Sequence, residues 1–208
     1  ALPISFPIDM EKMNIDVLAF TGHKSLLGPQ GIGGFLVSDE VAKEMTPLIT
    51  GGTGSVSDSE IQPEFMPDKF ESGTQNIPGI YGLHAALTYL EQTGIDKIHA
   101  HEMELCRLFI EKINELGNPK IRVVGTQDMK KRGPVVSLDF EGKDNAEVSF
   151  LLDSEYGIST RCGMHCAPNA HKTLGTYPQG TVRFAFGFQN TRQDVECAVQ
   201  AIKEILQK

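Results

Sequence analysis

Apolar residues fall in two textures along the chain. Val17-Leu-Ala-Phe20 and Gly34-Phe-Leu-Val37 are short apolar runs bounded by turn residues, the pattern of buried strands. Residues 1–50 therefore read as strand, loop, strand and short helix. Residues 51–76 are rich in Gly, Ser, Thr and Pro and read as an extended connection of a length that is usually functional or disordered. From Ile77 to Thr93 the spacing becomes helical, with Ile80, Leu83, Leu87 and Leu90 on one side, and Gly94 stops it. Ile95 to Leu116 predicts a long amphipathic helix whose apolar stripe is Ile98, Leu105, Leu108, Phe109 and Ile113.

Beyond Gly117 short strands and helices alternate. Ile121–Val124, Val135–Phe140, Ile158–Arg161 and Val182–Phe186 read as strands. Asn145 is the expected cap of a helix running through Ser154 and ended by Gly157. Thr191 caps a last helix whose buried face would be Val195, Ala198, Val199, Ile202 and Ile205. This alternation predicts a compact α/β fold, with no internal repeat.

Composition narrows the classes. The chain has 208 residues, 40% hydrophobic and 22% charged, enough for one or two domains with a real core. Its 19 basic against 27 acidic residues argue against a nucleic-acid footprint. Lys130, Lys131 and Arg132 form a short basic cluster expected to be a solvated loop. No apolar run is long enough to span a membrane, and no signal-peptide pattern opens the sequence. Four cysteines are too few for a disulfide scaffold, so a reducing cytoplasm is the default compartment. Cys106 and Cys197 fall on helical patterns and are expected to be buried thiols.

Lys24 is the first candidate for chemistry. It follows the apolar strand in Ala19-Phe-Thr-Gly-His-Lys24 and precedes a glycine-rich turn. An amine at the end of a buried strand is desolvated, which favours its neutral, nucleophilic form. Such a lysine can form a Schiff base, as enzymes do to hold pyridoxal phosphate. The plainer reading is a surface or phosphate-binding lysine beside a loop. Gly28-Pro-Gln-Gly-Ile-Gly-Gly34 lacks the G-x-G-x-x-G order, and a strand follows it, so it reads as a tight turn needing positive φ rather than a dinucleotide loop.

A second candidate lies far downstream in Arg161-Cys-Gly-Met-His-Cys-Ala-Pro168. Cys166 has His165 beside it and Arg161 five residues before it. Positive neighbours raise the thiolate fraction of a cysteine, and a loop gives it access. Arg183 is a lone charge in an alternating strand, suited to a bidentate carboxylate contact. An imine-forming lysine, a mobile thiol and a carboxylate clamp together describe sulfur removal from an amino acid. Two rivals stand beside this reading. Cys162, His165, Cys166 and His171 have Cys-x2-His-Cys-x4-His spacing and could close around zinc. Alternatively, the chain is a structural or dimerisation module without its own activity.

The segments Thr21-Gly-His-Lys24, Gly28-Pro-Gln-Gly-Ile-Gly33, Glu71-Ser-Gly-Thr-Gln-Asn76 and Arg161-Cys-Gly-Met-His-Cys-Ala167 resemble, in order and across essentially the whole chain, the cysteine desulfurases and selenocysteine lyases. These are fold-type I pyridoxal-phosphate enzymes of the class V aminotransferase group. The resemblance implies part of a large pyridoxal-phosphate-dependent transferase domain over residues 1–93, then a small C-terminal α/β domain over 94–208 carrying Cys166 and Arg183. It implies that Lys24 holds pyridoxal 5'-phosphate and acts as base. His23 and Thr21 would contact the phosphate, with His23 also assisting proton movements, and Thr74 would reach the phosphate of a partner subunit. Arg183 and Arg161 would bind the substrate carboxylate, and Cys166 would attack the sulfur. It further implies a homodimer, a cysteine or selenocysteine substrate and a sulfur-acceptor protein. The family's aspartate that pairs with the pyridine nitrogen has no match here. Asp9 and Asp16 precede Lys24 outside that motif, so the sequence reads as the C-terminal part of a longer enzyme, weakly active or inactive on its own.

Overall fold

The structure is a computed structural model and describes residues 7–56 and 58–208. The opening residues 1–6, on which the reading of where the family pattern begins partly rests, lie outside the described residues. The chain divides into two compact units, residues 1–95 and 96–208.

In the first unit, β1 (Val17–Thr21) pairs antiparallel with β2 (Gly33–Val37) as a two-stranded ribbon. Helix α1 (Asp39–Glu44) follows, its first turn capped by the Ser38 hydroxyl. A long connection holding one short 3-10 turn, Asp68–Phe70, leads to helix α2 (Ile77–Thr93). Lys69 is buried and organises that connection. Its ammonium donates to the Ala42 and Lys43 carbonyls at 3.0 and 3.3 Å and pairs with Glu64 at 2.8 Å. It thereby satisfies carbonyls that the end of α1 leaves without helical partners.

The expected buried strands are not buried. Val17, Phe35 and Leu36 are exposed: the ribbon has two strands only among the described residues, and Phe35 meets Phe70 edge-on with ring centroids 5.5 Å apart. Likewise only part of the predicted stripe of α2 is covered. Leu90 is buried, whereas Ile80 and Leu87 are exposed.

The second unit has the core. Helix α3 (Ile95–Glu115) enters it, and all five residues of its predicted stripe are buried. The sheet has the order β3-β4-β6-β5, wholly antiparallel, from β3 (Ile121–Val124), β4 (Val135–Phe140), β5 (Arg161–Gly163) and β6 (Thr181–Ala185). Helices α4 (Asn145–Tyr156) and α6 (Arg192–Ile205) pack with α3 on one face, around Phe109, Leu138, Phe140, Leu152, Val182 and Ile202. The short helix α5 (Pro168–Leu174) lies between β5 and β6 in sequence. Thr191 caps α6 through a reciprocal capping box with Asp194.

Four sequence expectations need correction here. The cap of α4 is Asp144, whose carboxylate accepts from Ala146 N. Asn145 is the first helical residue, and its amide serves a buried network instead. The strand expected at 158–161 begins only at Arg161. Residues 158–160 are tied to α4 by Ile158 N to Leu152 O (2.8 Å), Ser159 to Asp153 (3.0 Å) and Thr160 to Ser149 (2.8 Å). Cys197 is exposed, two residues past Val195 and off the buried stripe, whereas Cys106 is fully buried and its thiol is pushed up by that burial. Finally, Arg132 is not a solvated loop charge. Its guanidinium donates to the Thr126 and Val135 carbonyls at 2.8 and 2.7 Å.

The uneven burial of the two units predicts an uneven response to truncation. Leu152→Ala should cost about 2–5 kcal/mol in urea unfolding monitored through the second unit, since it opens a cavity in a closed core. Leu48→Ala, at a side chain 98% exposed, should stay within about 0.5 kcal/mol. Equal losses would contradict this partition of the core.

Candidate active site

The first group of site residues is held by a turn. Gly22 N donates to Ile32 O at 2.9 Å and Gly28 N to Gly22 O at 2.8 Å, closing residues 22–32 into a loop. Leu27 N donates to Lys24 O at 2.9 Å. Gly31 has the positive φ (78°) expected of this run, and Leu27 adds a left-handed residue that composition did not foretell. Helix α2 seats directly on the turn. A Cβ on Gly82 would lie 2.8 Å from Pro29 Cγ, so only glycine lets helix and turn meet. Asn76 completes the seat. Its Oδ1 caps α2 at Gly79 N and its Nδ2 donates to Gly31 O, both at 3.1 Å. The segment carrying Thr74 is thus tied to the loop carrying Lys24.

Lys24, His23, Thr21 and Thr74 are all exposed, and the Lys24 amine makes no hydrogen bond or ion pair among the described residues. This corrects the expectation of a desolvated lysine at the end of a buried strand. In this unit the amine is free and accessible. A free primary amine next in sequence to an imidazole fits a group that presents an aldehyde and a phosphate.

The second group sits at the β5 edge of the antiparallel sheet. Arg161 and Arg183 are register partners on β5 and β6. Residues directly opposite project from the same face, so two guanidiniums stand side by side, an arrangement that is unfavourable unless an anion joins them. Arg183 Nε is buried and lacks a hydrogen-bond partner among the described residues. Sequence spacing could not reveal this pairing, since it depends on strand register.

Beyond Gly163 the chain makes an abrupt turn. His165 and Cys166 both take left-handed backbone (φ 50° and 61°), a conformation costing roughly 1–3 kcal/mol at each non-glycine residue. The turn is closed by Ala167 N to Met164 O at 2.8 Å, and His165 Nε2 donates to Arg161 O at 2.8 Å. Cys166 is exposed, with its Sγ 3.7 Å from Arg161 Nη2. A guanidinium so placed can pair with an anionic sulfur.

Burial is the main cause that holds the His165 pKa below its ordinary value. The Arg161 carbonyl favours the protonated ring, whereas Arg183, His171 and Arg161 repel it. With Nε2 donating to a carbonyl, the neutral ring presents its Nδ1 lone pair. The expected positive neighbour of Cys166 is therefore Arg161, not His165.

The zinc rival does not assemble. No three His, Cys, Asp or Glu side chains are gathered to hold a metal ion among the described residues. His171 Nδ1 shares a 2.7 Å hydrogen bond with the Thr176 hydroxyl. A hollow of about 770 Å³ between α3, α4 and α6, lined by Tyr156, Ile158 and Cys197 among others, includes none of the site residues. No helix among the described residues is long and apolar enough to cross a membrane.

Comparison with known proteins identifies the family. Residues 3–197 match the family model of class-V aminotransferases. A probable cysteine desulfurase of Pyrococcus abyssi is 35% identical over 202 residues, covering 96% of this chain and 49% of the relative. The cysteine desulfurase CsdA of Escherichia coli is 34% identical over 206 residues, covering 98% and 49%. Its crystal structure as the S-sulfonic acid superposes with a TM-score of 0.86 at 33% identity, covering 98% of this chain and 49% of that one. The apo cysteine desulfurase of Thermococcus onnurineus gives 0.88 at 32% identity, covering 99% and 50%. The fold is that of part of a pyridoxal-phosphate-dependent transferase. The chain belongs to the class-V aminotransferase family, whose cofactor is pyridoxal 5'-phosphate, and it spans about half the length of the curated relatives it matches.

The position of His165 has a measurable consequence. Its folded pKa is depressed, so the folded state binds fewer protons than the unfolded chain as pH falls towards and through 6.5, the ordinary value for histidine. The stability linked to this group is complete above that value and is lost as pH falls through the folded pKa. In an NMR titration the His165 ring should change charge below pH 6.5, and a midpoint at or above it would contradict the assignment.

Proposed function

We propose that this chain carries the lysine and the sulfur-accepting cysteine of a pyridoxal-phosphate-dependent cysteine desulfurase, converting cysteine, or its selenium analogue, to alanine. The reading is carried by one observation. Cys166 is held in strained backbone beside Arg161, which itself stands opposite Arg183 with a buried donor unpaired. Strain of this kind persists only where surrounding structure enforces it, and it gathers at functional sites. The class-V family membership and the cysteine desulfurase relatives support the same reaction.

Bound pyridoxal phosphate supplies an electron sink for negative charge at the substrate Cα. Lys24 is the amine that holds the aldehyde and then, neutral, takes the Cα proton. His23 and Thr21 would hold the phosphate, and Thr74 would reach the phosphate of a partner subunit in a homodimer. Arg183 and Arg161 receive the substrate carboxylate between them, relieving their mutual repulsion. Cys166 as thiolate attacks the substrate sulfur. The new S–S bond forms as the Cβ–S bond breaks, and its electron pair passes to Cβ, which is protonated to give alanine. The outgoing sulfur stays on Cys166 as a persulfide for an acceptor protein. Asp9 takes no part in this scheme, being bound to Lys12 through its carboxylate. The residue divisions 1–93 and 94–208 then correspond to part of the large domain and the small domain. Four free cysteines suit a reducing cytoplasm.

Two variants test the assignment. With added pyridoxal phosphate and borohydride, the protein should gain a reduced adduct on the Lys24 peptide, and Lys24→Ala should lose it. Cys166→Ala should keep the adduct while sulfide release from cysteine falls to background. An adduct on other lysines alone, or sulfide release unchanged in Cys166→Ala, would overturn the reading.

A further inference from the structure

His171 is buried, polar and unused by the reaction outlined above. Its neighbours connect it to the strained turn on one side and to the sheet on the other. Towards the turn, its ring lies 5.7 Å from the His165 ring, centroid to centroid, and its backbone N donates to Ala167 O at 3.2 Å. Towards the sheet, its Nδ1 meets the Thr176 hydroxyl at 2.7 Å, in a residue that is itself buried. Thr176 N donates to His171 O (2.9 Å), and Gly180 N donates to Thr176 O (2.7 Å). Gly180 packs so closely on Gly163 that a Cβ there would lie 2.3 Å from the Gly163 carbonyl carbon. Asn145, buried at the start of α4, donates to Gly180 O at 3.0 Å and to Asp139 at 3.0 Å, and accepts from Phe140 N at 3.1 Å. A buried side-chain hydrogen bond, beside the backbone bond from Thr176 N to His171 O, therefore joins the segment after the Cys166 turn to the frame of the sheet.

We propose that the His171–Thr176 pair is a positioning device for Cys166. It holds the His165 ring from behind and so keeps the two left-handed residues in the conformation that sets the thiol beside Arg161. The consequence for turnover rests on the reading of Cys166 as nucleophile, whereas the mechanical claim does not. Unclamped, the turn would relax to backbone that ordinary residues prefer, and Sγ would leave the guanidinium.

The test uses Thr176→Val, which keeps shape but leaves His171 Nδ1 without its partner, and Thr176→Ser, which restores a hydroxyl. Hydrogen exchange is measured on the protein without cofactor. The Ala167 and His171 amides should exchange about tenfold faster in Thr176→Val, as expected when a buried partner is lost. They should return to the native rate in Thr176→Ser, with β4 and α6 amides unchanged in both. Unchanged exchange at 167 and 171, or equal acceleration throughout the second unit, would overturn the proposal. In cofactor-loaded protein, Thr176→Val should lower kcat for sulfide release severalfold with KM unchanged. Local acceleration without any loss of kcat would leave the clamp standing and remove its role at Cys166. Absence of sulfide release in the native protein as well would instead strike at the desulfurase reading.

Discussion

The contact between Gly163 and Gly180 sets the geometry on which the cysteine site depends. Two backbones meet there with no side chain between them. That approach brings the end of β5 against the start of β6, and the register that follows places Arg161 opposite Arg183. The chain turns sharply after Gly163, where Ala167 N donates to Met164 O at 2.8 Å. The turn reverses through two left-handed residues, His165 and Cys166. A cysteine in relaxed backbone would lie elsewhere. The energy for this conformation comes from a core in which Val182 and Phe184, the neighbours of Arg183, are buried against three helices.

The two units solve the problem of holding a reactive group differently. In the second, a closed core lends stability to a strained turn. In the first, few apolar side chains are buried, and order comes from polar and backbone devices instead. Lys69 satisfies the end of α1, Asn76 joins the α2 cap to Gly31, and Gly82 admits Pro29. Leu48, Ile49, Ile61 and Phe65 remain on its surface.

Much of the fold was legible because helices announce themselves through periodic stripes. Those of α3 and α6 name their buried residues correctly, and Thr191 and Gly157 act as the expected start and stop. Errors arose where local signals compete. Asp144 and Asn145 are both good caps, and only the buried demand of Gly180 and Asp139 decides which one serves. Residues 158–160 have strand character, yet their hydroxyls and backbone are claimed by α4. The candidate chemistry was legible as residue types in motifs. The Arg161–Arg183 pairing and the left-handed turn were not, because register and backbone strain depend on contacts distant in sequence. The exposure of Lys24 and Cys197 is not legible in a local pattern, because burial is supplied by neighbouring layers.

The central claim is that Cys166 receives sulfur from an amino acid activated at Lys24. The most direct measurement is mass spectrometry of the protein after brief exposure to cysteine carrying isotopically labelled sulfur, with and without pyridoxal phosphate. The account predicts one labelled sulfur atom on the peptide containing Cys166, dependent on the cofactor and absent from Lys24→Ala. Label on Cys162 or Cys197 instead, or label on Cys166 without cofactor, would contradict it.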